Sequence, residues 1–429
     1  MTRGSLKNVK SMTGQPHSSI TFGADPEFFF KNTTNRRVIG AEKVLPKNGL
    51  ISGGSKFVID GVQGELNPRP SFCRGILGTE IAYCFKRLNK ELKNSNVSPS
   101  FKQTVKISKT ELAKLDKRNQ KFGCAPSLNT SKCGVDFKNV DPLKETKRSA
   151  GGHIHLGIRE WFCKKEDRKN NLILFSHSDT ERIESIIDLL DILLGNTCVL
   201  IDRDPMSKER RKLYGRAGEY RLPKHGIEYR TLSNFWLHSC ELMSLVIGLA
   251  RMAVKMGTSC DWKEYHEAFT DAVDISKVHE AINTNNYTLA RKNFKAMLPV
   301  FCKVFTEHRS SLPLNINTLL PFLYFTDKIK QFGLTYWWPE DPMTNWLKVT
   351  DGHYHGFNDF LINTVTPRMK EHMLSIEKGS TSFPDKRVKR RILKSLGFRE
   401  GIGQASAFEP LYKRGPLVQS FKYVYLESV

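Results

Sequence analysis

No two of the nine cysteines form a CxxC pair. They lie irregularly at positions 73, 84, 124, 133, 163, 198, 240, 260 and 302. That scatter excludes a zinc knuckle and speaks against a disulfide framework, so each reads as a small buried hydrophobe in a reducing compartment. No stretch approaches the ~20 uninterrupted apolar residues of a membrane span. The arm from Met1 to Ser19 is polar and basic, without the apolar centre of a secretory signal, and reads as a flexible arm. The chain carries no Walker loop, no protein-kinase signature, no internal repeat and no low-complexity tract. A nucleotide would therefore be held by something other than a glycine cradle. Acids are the scarcer charge: 67 basic against 44 acidic residues leave +23. Such a field suits an acidic partner or nucleic acid, although the excess is diffuse and densest only at 386–394 (KRVKRRILK). The expected location is the cytoplasm, with no membrane partner.

The acids that are present sit in unusual company. Thr21 to Phe30 (TFGADPEFFF) reads as an apolar, aromatic strand around Asp25 and Glu27. Pro26 cannot donate to a ladder, which implies an edge or bulge there. Phe57 to Leu66 (FVIDGVQGEL) sets Asp60 and Glu65 beside Gly61 and Gly64. Ala150 to Ile158 (AGGHIHLGI) alternates strictly and carries His153 and His155, and Gly226 to Ser233 (GIEYRTLS) carries Glu228 and Arg230. Residues two apart on a strand share a face, roughly 6.6 Å apart at their bases, so each pair can close on one cation. Each pair also has a plainer reading: a solvated D-x-E, a structural H-x-H, an edge ion pair. An unpaired charge among phenylalanines costs several kcal/mol, which favours a metal or arginine partner for Asp25 and Glu27. Carboxylates without cysteines suit Mg²⁺ or Mn²⁺. Arg210, Arg211, Arg216 and Arg221, just before the Glu228 strand, suit phosphates through their forked donors.

Helical spacing appears over 75–95, Thr180 to Leu194 and Phe235 to Lys255, with acids in the first turn of the second. One strand or hairpin is expected near Thr104 to Ile107. Trp337, Trp338 and Trp346 read as core, and from about residue 260 the chain reads as mostly helical.

Five motifs stand in order: GADPEF at 23–28, DGVQGELNP at 60–68, GGHIHLG at 151–157, YGRAGEYR at 214–221 and IEYR at 227–230. Over about residues 20–255 they resemble the phage-type carboxylate–amine (COOH–NH2) ligases of type 2, a branch of the glutamine-synthetase and glutamate–cysteine ligase superfamily. The resemblance implies an α+β fold, a glutamine-synthetase-like antiparallel sheet flanked by helices, to which the residue pattern beyond about 260 adds a mainly helical C-terminal region. The expected division is an arm at 1–19, a catalytic domain at 20–258 and an accessory region at 259–429.

The implied reaction is ATP-dependent: a carboxylate becomes an acyl phosphate and an amine displaces the phosphate. The implied cation ligands are Asp25, Glu27, Asp60, Glu65, His153 and Glu228, for Mg²⁺ or Mn²⁺. Arg230 would steady the transferring phosphate, with His155 and Glu65 as further catalytic groups. Arg210, Arg216 and Arg221 would hold ATP. The carboxylate and amine could belong to small molecules, peptides or proteins, and a phage-encoded chain would act in the host cytoplasm. A metal-dependent nuclease or phosphoesterase remains an alternative, as does a basic nucleoprotein or virion component.

Overall fold

The computed structural model describes residues 20–52, 54–117, 119–120, 127–130, 132–136, 145–158, 165–167, 172–174, 177–307, 329–330, 332–349 and 360. The N-terminal arm and the basic run at 386–394 lie outside them. The fold is mixed α+β, built on antiparallel sheets. The strands are β1 (Thr21–Ala24), β2 (Glu27–Asn32), β3 (Val38–Ile39), β4 (Leu50–Ser52), β5 (Ser55–Asp60), β6 (Gln63–Asn67), β7 (Val97–Ser100) and β8 (Thr104–Lys106). Then come β9 (Ser127–Asn129), β10 (Lys132–Asp136), β11 (Lys147–Ser149), β12 (Ile154–Gly157), β13 (Lys165–Asp167), β14 (Leu172–Leu174), β15 (Glu219–Arg221) and β16 (Gly226–Tyr229). One sheet runs β1-β12-β16-β15-β9-β10 and a second runs β3-β2-β6-β5-β4, with β7 also paired to β2.

Pro26 decides where these sheets meet. The sequence reads 21–30 as one strand carrying Asp25 and Glu27 on a common face. The chain instead leaves the first sheet after Ala24 and enters the second at Glu27. A proline offers no N–H to either ladder, so the corner falls there. Asp25 thus belongs to the end of one sheet and Glu27 to the start of the other. The Phe57–Leu66 segment folds as the β5–β6 hairpin, whose two-residue loop opens with Gly61 at φ +56°, a conformation glycine adopts without strain.

The main helices are α1 (Arg74–Leu92), α2 (Lys109–Ala113), α3 (His177–Leu190), α4 (Asn196–Val199), α5 (Ser207–Leu213), α6 (Cys240–Gly257), α7 (Trp262–Ala272), α8 (Ile275–Thr284) and α9 (Tyr287–Glu307). The helix expected over 180–194 is α3 followed by a π-helical turn, Asp191–Gly195. The helix expected over 235–255 is split. A 3-10 turn covers Asn234–His238, and Ser239 then caps α6 by accepting the Leu242 N–H at 3.2 Å. That hydroxyl satisfies a donor which a helix start otherwise leaves unpaired. Helix α6 is apolar nearly all round and accordingly buried.

One apolar cluster runs from Ile20 through α1, α3 and α6 to α9, Trp337, Trp338 and Trp346. Phe28, Phe57, Phe85 and Phe101 pack ring against ring behind the acids of β2 and β6. The core is thus continuous across residue 258. Among the described residues no helix is long and apolar enough to cross a membrane.

Candidate active site

Strand register brings the expected acids, imidazoles and arginines together. Across the first sheet, His155 stands opposite Gly23 on one side and Glu228 on the other, and Glu228 stands opposite Arg221. Alternation places His153, Asp25 and Arg230 one pleat further along on the same face. In the second sheet Glu27 pairs with Glu65, Glu65 with Val58, and Asp60 with Gln63. Directly opposed residues share a face, as do those two apart, so Glu27, Asp60, Gln63 and Glu65 all point one way. The short spacing from Asp60 to Glu65 is therefore a hairpin bringing both acids to one face.

Two groups of ligand atoms result: Asp25, His155 and Glu228, and Glu27, Asp60 and Glu65, with the atoms of each group within 4.8 Å of one another. His155 Nε2 lies 3.0 Å from Asp25 Oδ2. His153 Nδ1 lies 3.2 Å from Asp25 Oδ1 and 3.6 Å from Glu228 Oε1. The histidine grouped with Asp25 and Glu228 is thus His155, with His153 against the same two acids from the next pleat.

Burial would push the Asp25 carboxyl up, but the two imidazoles outweigh it and hold it well below the usual carboxylate range. Glu27 goes the other way. Burial and the neighbouring Asp60 charge push it up to about 8, against donation from Gly151 and Tyr214. Glu65 is pushed up to about 9 by burial and by Asp25, Glu27 and Asp60, and Asp60 is raised by burial and Asp25. Burial lowers His153; for His155 it is overcome by Asp25, and the imidazole is raised.

Glu228 accepts from Arg221 Nε at 3.0 Å and Nη2 at 2.5 Å, and Arg230 Nε lies 3.2 Å away. Arg230 is buried, donates to Ser127 Oγ, and lies beside the Tyr214 ring. Arg210 is placed differently from the phosphate arm the sequence suggests. Its guanidinium is buried and donates to the carbonyls of Thr231 (3.0 Å), Arg230 (3.3 Å) and Leu232 (2.6 Å), which makes it a strut under the Arg230 strand end. Arg216 is half-buried and donates Nε to the Arg211 carbonyl at 3.2 Å.

Several neutral residues of the motifs, and others outside them, hold the ionisable groups in place. Glu27 Oε2 accepts from the Gly151 N–H (2.7 Å), the Tyr214 hydroxyl (3.1 Å) and Gln63 Nε2 (3.1 Å). That fixes one oxygen of Glu27. A Cβ on Gly151 would strike the His153 ring, and one on Gly152 would strike the Ser233 carbonyl and the Trp236 indole. Behind the sheet, Asp191 in the π turn accepts from Tyr229 OH (2.6 Å) and Gly218 N (2.6 Å) and pairs with His279 Nε2 (3.0 Å). Asn283 Oδ1 accepts the Ala217 N–H at 2.9 Å. The loop bearing Arg216 is thus held from behind by α8.

The donor set fits divalent cations. Among the described residues, Asp25 Oδ1 and both His153 ring nitrogens are buried without an aligned hydrogen bond. Three carboxylates crowd each other on the second sheet, a repulsion that a cation would remove. One imidazole with five carboxylates is a hard set, suited to Mg²⁺ or Mn²⁺.

No curated protein matches the chain. From the start of α3 through the arginine loop, β15, β16 and α8 into α9, residues 175–294 match the family of phage phiEco32-like COOH.NH2 ligases of type 2.

Proposed function

We propose that this chain is an ATP- and Mg²⁺-dependent ligase that joins a carboxylate to an amine through an acyl phosphate. The observation that carries the reading is the convergence of two ligand groups, Asp25–His155–Glu228 and Glu27–Asp60–Glu65, with Arg221 and Arg230 on the same face. The name of the matched family supports it, and the catalytic unit would take in residues 20–258 together with α8, which braces the arginine loop. Two cations, one in each group, would offset the charge that builds on the phosphoryl oxygens.

The chain's own residues then do the positioning. Arg230, locked by Ser127, Glu228 and Tyr214, presents a preset fork to the γ-phosphoryl group. Arg221, half-buried at the end of β15, can turn from Glu228 to the nucleotide phosphates. A carboxylate oxygen attacks the γ-phosphorus and ADP leaves. The amine nitrogen then attacks the acyl carbon, loses a proton, and phosphate departs.

Purified protein, Mg-ATP, hydroxylamine and a panel of carboxylates should yield a hydroxamate detectable by mass, with ADP. Absence of any nucleotide turnover, together with ATP-independent cleavage of plasmid DNA, would turn the reading to a phosphoesterase.

A further inference from the structure

The β15–β16 hairpin brings a third histidine to the edge of the site. His225 immediately precedes β16, and its side chain is exposed. Its Nε2 lies 2.9 Å from Nδ1 of His155, with ring centroids 5.0 Å apart. The other nitrogen of His155 faces Asp25 Oδ2 at 3.0 Å. The three groups form a line from solvent to the ligand atoms.

The backbone of His225 is pinned. Its carbonyl accepts the Ile158 N–H at 3.0 Å, and the Gly226 N–H donates to Pro223 at 2.9 Å. Gly226 has φ +143° and lies so close to the Leu156 carbonyl that a Cβ there would strike it. The imidazole thus stands on a fixed stretch of backbone, not on a loose loop.

An imidazole that ligates a cation through Nε2 must carry its proton on Nδ1, and that proton needs an acceptor. We propose that His225 is a positioning residue that accepts the Nδ1–H of His155, fixing the tautomer and ring so that Nε2 is delivered to a divalent cation with Asp25 and Glu228. The inference rests on reading those three as ligands but is independent of the reaction catalysed.

Mn²⁺ titration of metal-free protein, followed by the electron-spin signal of free Mn²⁺, tests it. His225→Ala should weaken one class of site by about 10- to 100-fold, leave the Glu27–Asp60–Glu65 class unchanged, and keep the metal-free melting temperature. His225→Gln, whose side-chain oxygen can still accept from Nδ1–H, should restore most of the loss. Wild-type affinity in His225→Ala, alongside weakened binding in His155→Ala, would overturn the role of His225. So would equal losses in the Ala and Gln variants. Wild-type binding of both classes in His155→Ala would overturn the ligand reading itself, and the inference with it.

Discussion

Raising the pH of the metal-free protein should weaken it through Glu27, and the size of the effect follows from the site. Glu27 titrates at about 8 in the folded chain against 4.5 ordinarily, because burial and Asp60 disfavour its charge. A carboxyl raised in this way contributes stability that is fully present below pH 4.5 and lost as pH rises through 8. The span is 8 − 4.5 = 3.5 pH units at ~1.36 kcal/mol each, on the order of 5 kcal/mol. Glu65 and Asp60, raised by burial and neighbouring acids, and His155, raised by Asp25, bend the curve the same way, so subtraction of a variant is needed. Chemical denaturation of metal-free wild type and Glu27→Gln between pH 5 and 9 reports Glu27 together with the part of the Glu65 shift that its charge causes. The wild type should lose several kcal/mol more than the variant. Added Mg²⁺ or Mn²⁺ should restore the wild type more at high pH, because the protons held by Glu27 and Glu65 must leave before a cation binds. Parallel pH curves for the two proteins would refute the reasoning.

Arg230→Lys keeps a charge but loses the fork held by Ser127 and Glu228, so turnover should fall about a hundredfold or more, with a smaller change in ATP affinity by calorimetry. Gly152→Ala drives a Cβ into the Ser233 carbonyl and should cost about 1–3 kcal/mol or more in thermal unfolding, because backbone rather than a flexible side chain stands in the way. Asn283→Ala frees the Ala217 N–H, and should raise KM for ATP more than it lowers kcat by loosening the Arg216 loop. An unchanged KM would mean that α8 does not brace nucleotide binding.

Most of the convergence at the candidate site was legible because strand alternation is local. Asp60 with Glu65, and His155 with Glu228, meet through a hairpin and a ladder whose residue patterns are visible in FVIDGVQGEL, GGHIHLG and IEYR. The separation of Asp25 from Glu27 had one local sign, Pro26, which reads as a bulge until the second sheet is seen. That His155, not His153, stands directly opposite Glu228 follows from a register set by two other strands. Arg210 could not be sorted from Arg221 by sequence, since a guanidinium fork suits phosphate oxygens and main-chain carbonyls alike. Tyr214, Gln63 and His225 serve through hydrogen bonds to acids and imidazoles distant in sequence, and their residue types alone carry no such signal. The family match at 175–294 runs beyond residue 258, and α8 supplies a physical reason: Asn283 and His279 hold the arginine loop and Asp191.

The most direct measurement of the central claim follows oxygen. A substrate carboxylate labelled with ¹⁸O is turned over with Mg-ATP and an amine, and the phosphorus products are read by ³¹P NMR and mass spectrometry. Attack of that carboxylate on the γ-phosphorus requires one label to leave in inorganic phosphate, with unlabelled ADP. Label recovered in AMP, with pyrophosphate as the other product, would contradict the acyl-phosphate route.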